Sequence, residues 1–144
     1  MVLDGTTGVG VSYLVEVEHR FRAVQGLPSP VRAERGLSRL ASGEGVEVIV
    51  RVAVAFEDEQ LTPRGWFFDT DAAAAELAEC CAELEGRPWT EVFEFRPTFE
   101  LVARHLHARL AARLPQLAYV EIRDVDFGVT TRYVPPPRHR TGIR

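Results

Sequence analysis

Lysine is absent from this chain, and all seventeen basic residues are arginine. A Schiff base or an amine nucleophile on a side chain is thereby excluded. Cysteine is scarce. The only two, Cys80 and Cys81, are adjacent, a spacing that suits neither an ordinary structural disulfide nor a C-x-x-C motif. A reducing, cytoplasmic setting is expected. No apolar run approaches the roughly 20 residues of a membrane span. The start, Met1-Val2-Leu3-Asp4-Gly5, lacks the basic-then-apolar order of a secretory signal. The net charge of −4 offers no concentrated basic surface for nucleic acid. Neither a membrane nor a nucleic-acid partner is expected.

What is present is the composition of a globule. The chain has 144 residues, 46% of them hydrophobic and 26% charged. That length makes one domain, able to bury roughly 68–70% of its unfolded surface without disulfides or metal staples.

Hydrophobic periodicity lays out the elements. Val11, Tyr13, Val15, Val17, His19, Phe21 and Ala23 alternate with Glu16, Glu18, Arg20 and Arg22, which predicts a half-buried strand. A Gly-, Pro-, Ser- and Arg-rich loop runs from Gly26 to Gly45. Loops of such length are usually functional or disordered. Val46, Val48, Val50, Val52, Val54 and Phe56 form one face of a second strand, with Glu47 and Arg51 on the other. The two strands are expected to pair antiparallel. Pro63-Arg64-Gly65 makes a turn before Trp66-Phe67-Phe68.

Asp69, Thr70 and Asp71 cap and charge the start of a helix running to about Leu84, with Leu77, Cys80, Cys81 and Leu84 as its apolar stripe. Gly86 and Pro88 end it. Thr98 caps a second helix to Leu114, stopped by Pro115. Tyr119–Asp124 and Val129–Val134 form a hairpin across Val125-Asp126-Phe127-Gly128. The order strand, strand, helix, helix, strand, strand predicts an α+β domain over residues 1–134, an antiparallel four-stranded sheet with both helices on one face. Residues 135–144 form a Pro-rich, basic tail, read as a frayed terminus in preference to an arm crossing to a neighbouring subunit.

Two stretches carry a resemblance. They are Phe21-Arg22-Ala23-Val24-Gln25-Gly26-Leu27-Pro28, and Gly65-Trp66-Phe67-Phe68-Asp69 through Arg96-Pro97-Thr98-Phe99-Glu100. They resemble the 6-pyruvoyl-tetrahydropterin synthase and 6-carboxytetrahydropterin synthase family, over about Tyr13 to Tyr133. The resemblance implies the tunnelling fold, in which sheets close into barrels between subunits. It therefore also implies a homo-oligomer, a hexamer of two paired trimers.

The family holds zinc with three histidines, and this chain departs from the pattern at each. Gln25 stands at the first ligand position, and Ser42 and Glu44 at the other two. Ser38 falls near the family's cysteine, and Glu85-Gly86 falls on its aspartate–histidine pair. Pro97-Thr98-Phe99-Glu100 keeps the family's Pro-Thr-x-Glu helix start, and Asp124 is the nearest counterpart of its pterin-gripping glutamate.

Catalytic zinc needs three well-placed ligands and an open position. A set of one carboxylate, one amide and one hydroxyl does not supply them, so neither zinc nor another cofactor is expected. The histidines do not replace the set. His105 and His107 are two apart on a helix and face different ways. His19 reads as a structural histidine of the core or of a subunit interface. Cys80 and Cys81 read as small buried hydrophobes.

The remaining chemistry rests on carboxylates. Glu100, Asp124 and Glu44 are the expected catalytic acid/base or orienting groups, since partly desolvated carboxylates can act near neutral pH. Gln25, Ser38, Ser42 and Glu85 are the expected substrate-binding residues. The function expected is a zinc-independent, pterin-synthase-like enzyme that isomerises, cyclises or eliminates on a small cyclic or conjugated metabolite in an inter-subunit pocket. The alternative is a non-catalytic binding or scaffolding module on the same fold.

Overall fold

The computed structural model describes residues 13–27 and 45–136. Four strands, β1 (Tyr13–Ala23), β2 (Val46–Phe56), β3 (Leu117–Asp124) and β4 (Val129–Tyr133), form an antiparallel sheet in chain order. Every residue of β1 is in register with β2, from Tyr13 opposite Phe56 to Ala23 opposite Val46. That register follows the matched alternation of the two strands.

Helices cover one face of the sheet. The first, α1 (Thr70–Cys81), starts where Asp69 accepts hydrogen bonds from the backbone N–H groups of Asp71 and Ala72. Its predicted last turn tightens into a 3-10 turn, Ala82–Leu84. A single-turn helix, α2 (Trp89–Val92), follows, which periodicity did not suggest. Trp89 is fully buried there, and its indole N–H donates to the carbonyl of Leu84 at 3.0 Å. The third, α3 (Phe99–Ala111), begins at Thr98, whose hydroxyl accepts from the N–H of Leu101. It ends three residues before the predicted limit of Leu114. The residues beyond it close in turns, with the N–H groups of Arg113 and Leu114 both reaching the carbonyl of Leu110.

The core lies between this helical layer and the sheet. Val48, Val50, Val52, Leu77, Leu106 and Leu110 are all fully buried in it. Burying such a side chain contributes about 1.5–3 kcal/mol.

The opposite face is less open than alternation implied, since Ile49 and Ala53 are buried on it as well as the valines on the other. Polar side chains cover this face. Glu18, Arg51, Glu121 and Arg132 are consecutive cross-strand partners across all four strands. Arg51 reaches Glu18 at 2.9 Å and Glu121 at 2.8 Å, and Arg132 reaches Glu121 at 2.8 Å. Beside that row the hydroxyl of Tyr119 bonds to Glu16, both being opposite Ala53. The small side chain of Ala53 lets this contact pass over β2. Burial, then the bond to Glu16, pushes the Tyr119 hydroxyl up to about 12.

β3 begins two residues earlier than expected, at Leu117, where a register shift at Ala53/Val54 leaves Ala118 as an extra residue between the partners Leu117 and Tyr119. Gln116 itself has φ 51°, and its side-chain N–H donates to the carbonyl of Ala55 at 2.6 Å.

On α3, His105 and His107 do point apart. His107 packs edge-on against Tyr133, with ring centroids 5.2 Å apart, and its Nε2 is buried without a hydrogen-bond partner. Burial pushes its pKa below the ordinary 6.5, and a backbone hydrogen bond at Leu117 only partly opposes this. The neutral ring therefore favours folding. Its contribution is complete above pH 6.5 and is lost as the pH falls through the depressed folded value. The urea midpoint should fall between pH 7 and pH 5, and His107→Gln should flatten that fall; equal slopes for the two proteins would contradict the assignment.

Candidate functional site

The predicted site residues that the structure describes gather mainly at the end of the sheet where β1 stops and β2 starts. Past Ala23, the carbonyl of Val24 accepts from the N–H of Trp89 at 2.8 Å, and Val24 bridges Pro88. The side-chain N–H of Gln25 then donates to the carbonyl of Pro97 at 2.9 Å. These bonds draw the segments before α2 and α3 onto the end of one strand. Glu100 follows in the first turn of α3, exposed to solvent.

Glycine is required twice where these segments touch. Gly26 has φ +84°, and a Cβ there would meet the Thr90 hydroxyl at 2.8 Å. Gly45 has φ +74°, and a Cβ there would lie 2.4 Å from the carbonyl oxygen of Ala23. The second approach is against backbone, which cannot step aside as a side-chain tip can. Arg22 fastens the same joint by donating to the carbonyl of Gly45 at 3.1 Å.

Asp124 ends β3 opposite Val48, two residues along β2 from the partner of Ala23. It belongs to the same end of the sheet as Gln25 and Glu100. Its side chain is 7% exposed, and its Oδ1 accepts from the N–H of Phe127 at 3.1 Å. Its backbone carbonyl also accepts from Gly128 at 2.8 Å. The carboxylate thus shapes the β3–β4 turn. Ser38, Ser42 and Glu44 lie outside the described residues, as does the tail from Pro137.

Glu85 sits apart from this group, on the flank of β1. It follows the 3-10 turn, where its N–H bonds to the carbonyl of Ala82, and precedes Gly86 at φ +79°. Its Oε2 lies 3.0 Å from Nε2 of His19. Sequence reasoning missed this partnership. The two residues are 66 positions apart, and nothing local marks them as neighbours.

A second histidine–carboxylate contact joins His105 to Glu83 at 3.1 Å, with Arg109 on the same carboxylate oxygen at 2.8 Å. The ring of His105 lies against Phe93 and Phe95, with centroids 4.8 and 5.8 Å away. Cys80 and Cys81 are fully buried, and burial raises both thiols. Such thiols are poor nucleophiles. Among the described residues no three histidine, cysteine or acidic side chains are placed to hold a metal ion.

This arrangement of sheet, helices and site end defines the class of protein. Residues 49–133, more than half of the chain, match the model of the 6-pyruvoyl tetrahydropterin synthase family. The chain belongs to that family. The match begins at Ile49, past the stretch from Gln25 to Glu44. The fold is similar to that of the 6-pyruvoyl tetrahydropterin synthase of Caenorhabditis elegans, at 17% identity and a TM-score of 0.57, covering 89% of this chain and 100% of that one. The α+β tunnelling fold expected from the resemblance is the one found. No curated protein matches the chain in sequence.

Two glycines with positive φ allow the joint to be tested. Gly65 has φ +88° but open space where a Cβ would go. Gly65→Ala should therefore cost only the left-handed backbone penalty, about 1–2 kcal/mol. Gly45→Ala should cost clearly more, because it adds the clash with Ala23. Equal losses in urea denaturation would show that the joint yields to a methyl group.

Proposed function

We propose that this chain is a zinc-independent enzyme of the pterin synthase family. It acts on a small cyclic or conjugated metabolite by acid/base chemistry, through isomerisation, cyclisation or elimination, in a pocket completed by a neighbouring subunit. The observation that carries this reading is the bond from Gln25 to the carbonyl of Pro97 at 2.9 Å. At the position of the family's first zinc ligand, a neutral amide ties two segments together. An amide so placed, with a serine and a glutamate at the other two positions, does not make the ligand set of a catalytic zinc.

Glu100 and Asp124, with Glu44, serve as acid/base or orienting groups in this reading. Gln25, Ser38, Ser42 and Glu85 contact the substrate. The location of Gln25, Glu100 and Asp124 at one end of the sheet supports this assignment.

Assembly into a homohexamer of paired trimers is part of the proposal. It is supported by the two outer strands, β1 and β4, and by the exposed Tyr13, Leu14, Val129 and Val134 on or beside them. Edges that no described strand pairs invite another strand. We place the protein in the cytoplasm, which suits two buried thiols that form no disulfide. No described helix is long and apolar enough to cross a membrane.

One observation favours the alternative, a binding module without turnover: the carboxylate of Asp124 is already engaged in its own turn.

The probe for both readings is 7,8-dihydroneopterin in heavy water. Its ring imine acidifies the hydrogens on the adjacent carbons, so acid/base chemistry registers as deuterium uptake by NMR. Uptake should persist after chelation, with zinc far below one per chain by elemental analysis. Glu100→Gln and Asp124→Asn should each slow it by about 100-fold, within the range of general acid–base catalysis. Stoichiometric zinc whose removal stops uptake would overturn the metal-independent reading, and binding without uptake would favour the module. Light scattering should give a hexamer; a monomer at micromolar concentration would refute the assembly.

A further inference from the structure

We propose that His19 is the catalytic base and acid of this protein and Glu85 its positioning residue, which leaves Glu100, Asp124 and Glu44 as the orienting groups and gives Glu85 a bond to His19 in place of a substrate contact. The inference rests on the acid/base reading above and supplies a residue pair that reading lacks.

The position of His19 argues for a task. Along β1 the charged Glu18, Arg20 and Arg22 face away from the helices, whereas Val17, Phe21 and Ala23 face towards them. His19 lies in that inward row, and the imidazole is 28% exposed. A histidine placed there without a purpose gives up solvation that a position on the outer face would keep. β1 is also an outer strand of the sheet among the described residues, so no described strand closes the flank of His19.

The contact fixes what each ring nitrogen does. Nε2 faces the carboxylate of Glu85 at 3.0 Å. An ionised carboxylate only accepts, so the neutral ring keeps its proton on Nε2 and presents the lone pair of Nδ1. The Phe21 ring, with its centroid 5.6 Å away, flanks the imidazole. Glu85 is itself held by its backbone bond to Ala82, and the chain beyond it is clasped to Val24 through Trp89. The pair is thus anchored to the strand that leads to Gln25.

The other described histidines lack these properties. His105 shares its carboxylate with Arg109, which neutralises it, and its ring is packed against Phe93 and Phe95. His107 has no carboxylate, and its Nε2 is buried without a partner. Among the described residues only His19 has a carboxylate that no arginine shares.

The ligand class that suits the pair is a conjugated carbon acid, a small molecule with a C–H bond beside C=N or C=O. Nδ1 takes the proton as the C–H bond breaks. The electron pair forms a new C=C bond, and the former imine nitrogen or carbonyl oxygen takes up a proton from water. Imidazolium then returns its proton to the same or a neighbouring conjugated carbon, and the heteroatom releases the one it took. Nothing is oxidised or reduced.

Deuterium uptake by 7,8-dihydroneopterin tests this in the full-length protein. His19→Ala should lose about 100-fold or more of the rate, and added imidazole should restore part of it. Glu85→Gln should lose less than His19→Ala and chiefly in kcat, while Glu85→Asp should retain more than Glu85→Gln. His105→Ala should exchange at the wild-type rate. A His19→Ala protein as fast as wild type, or one whose loss imidazole does not restore and a lowered melting temperature accompanies, would overturn the proposal while leaving the acid/base reading intact. No uptake by the wild type would defeat the acid/base reading itself, and the assignment of the pair with it.

Discussion

The fold depends on the burial of β2 on both faces. Val48, Val50 and Val52 are fully removed from solvent on the helical side, and Ile49 and Ala53 are nearly so on the other. A strand in that position must be paired along both edges, because a buried backbone N–H or C=O left without a partner costs about as much as the core side chains contribute. β1 pairs with it along its whole length and β3 along most of it. The helices then have a fixed apolar surface to cover, and the charged side chains of the other face have fixed neighbours at each step.

The functional end follows from that constraint. Once β1 and β2 are locked in register, the chain beyond Ala23 and before Val46 must separate abruptly. The tight approach of Gly45 to Ala23 is where it does so. The backbone groups freed there are taken up by distant segments, Val24 by Trp89 and Gln25 by Pro97. Side chains from four separate parts of the sequence therefore share one end of the sheet. Gln25, by bonding to backbone, is part of what holds that joint together.

Much of this was legible in the sequence, and the parts that were not have physical reasons. The valine alternation of β2 and the capping residues Asp69 and Thr98 are local signals, and both determined the structure as expected. The burial of Ile49 and Ala53 was hidden because it comes from cross-strand neighbours, which no single strand displays. The turn of helix at Trp89 is too short to show a period, and it exists because the indole fills the core beneath it. The location of Gln25, Glu100 and Asp124 together was implied by the family resemblance, whereas the contact of His19 with Glu85 spans 66 positions and exists only in the folded chain. The stretch carrying Ser38, Ser42 and Glu44 has no periodic pattern from which a backbone path could be argued.

The row from Glu18 through Arg51 and Glu121 to Arg132 has a thermal consequence. Glu121 is almost wholly removed from water, and both its carboxylate oxygens are held by guanidinium groups. The hydration that charged groups give up in such a network becomes less favourable as water warms, whereas the gain from apolar burial levels off. Heating therefore shifts the balance of stabilisation from the valine face of the sheet towards its arginine–glutamate face. The two sides of one strand, β2, hold the molecule together by forces that respond differently to temperature.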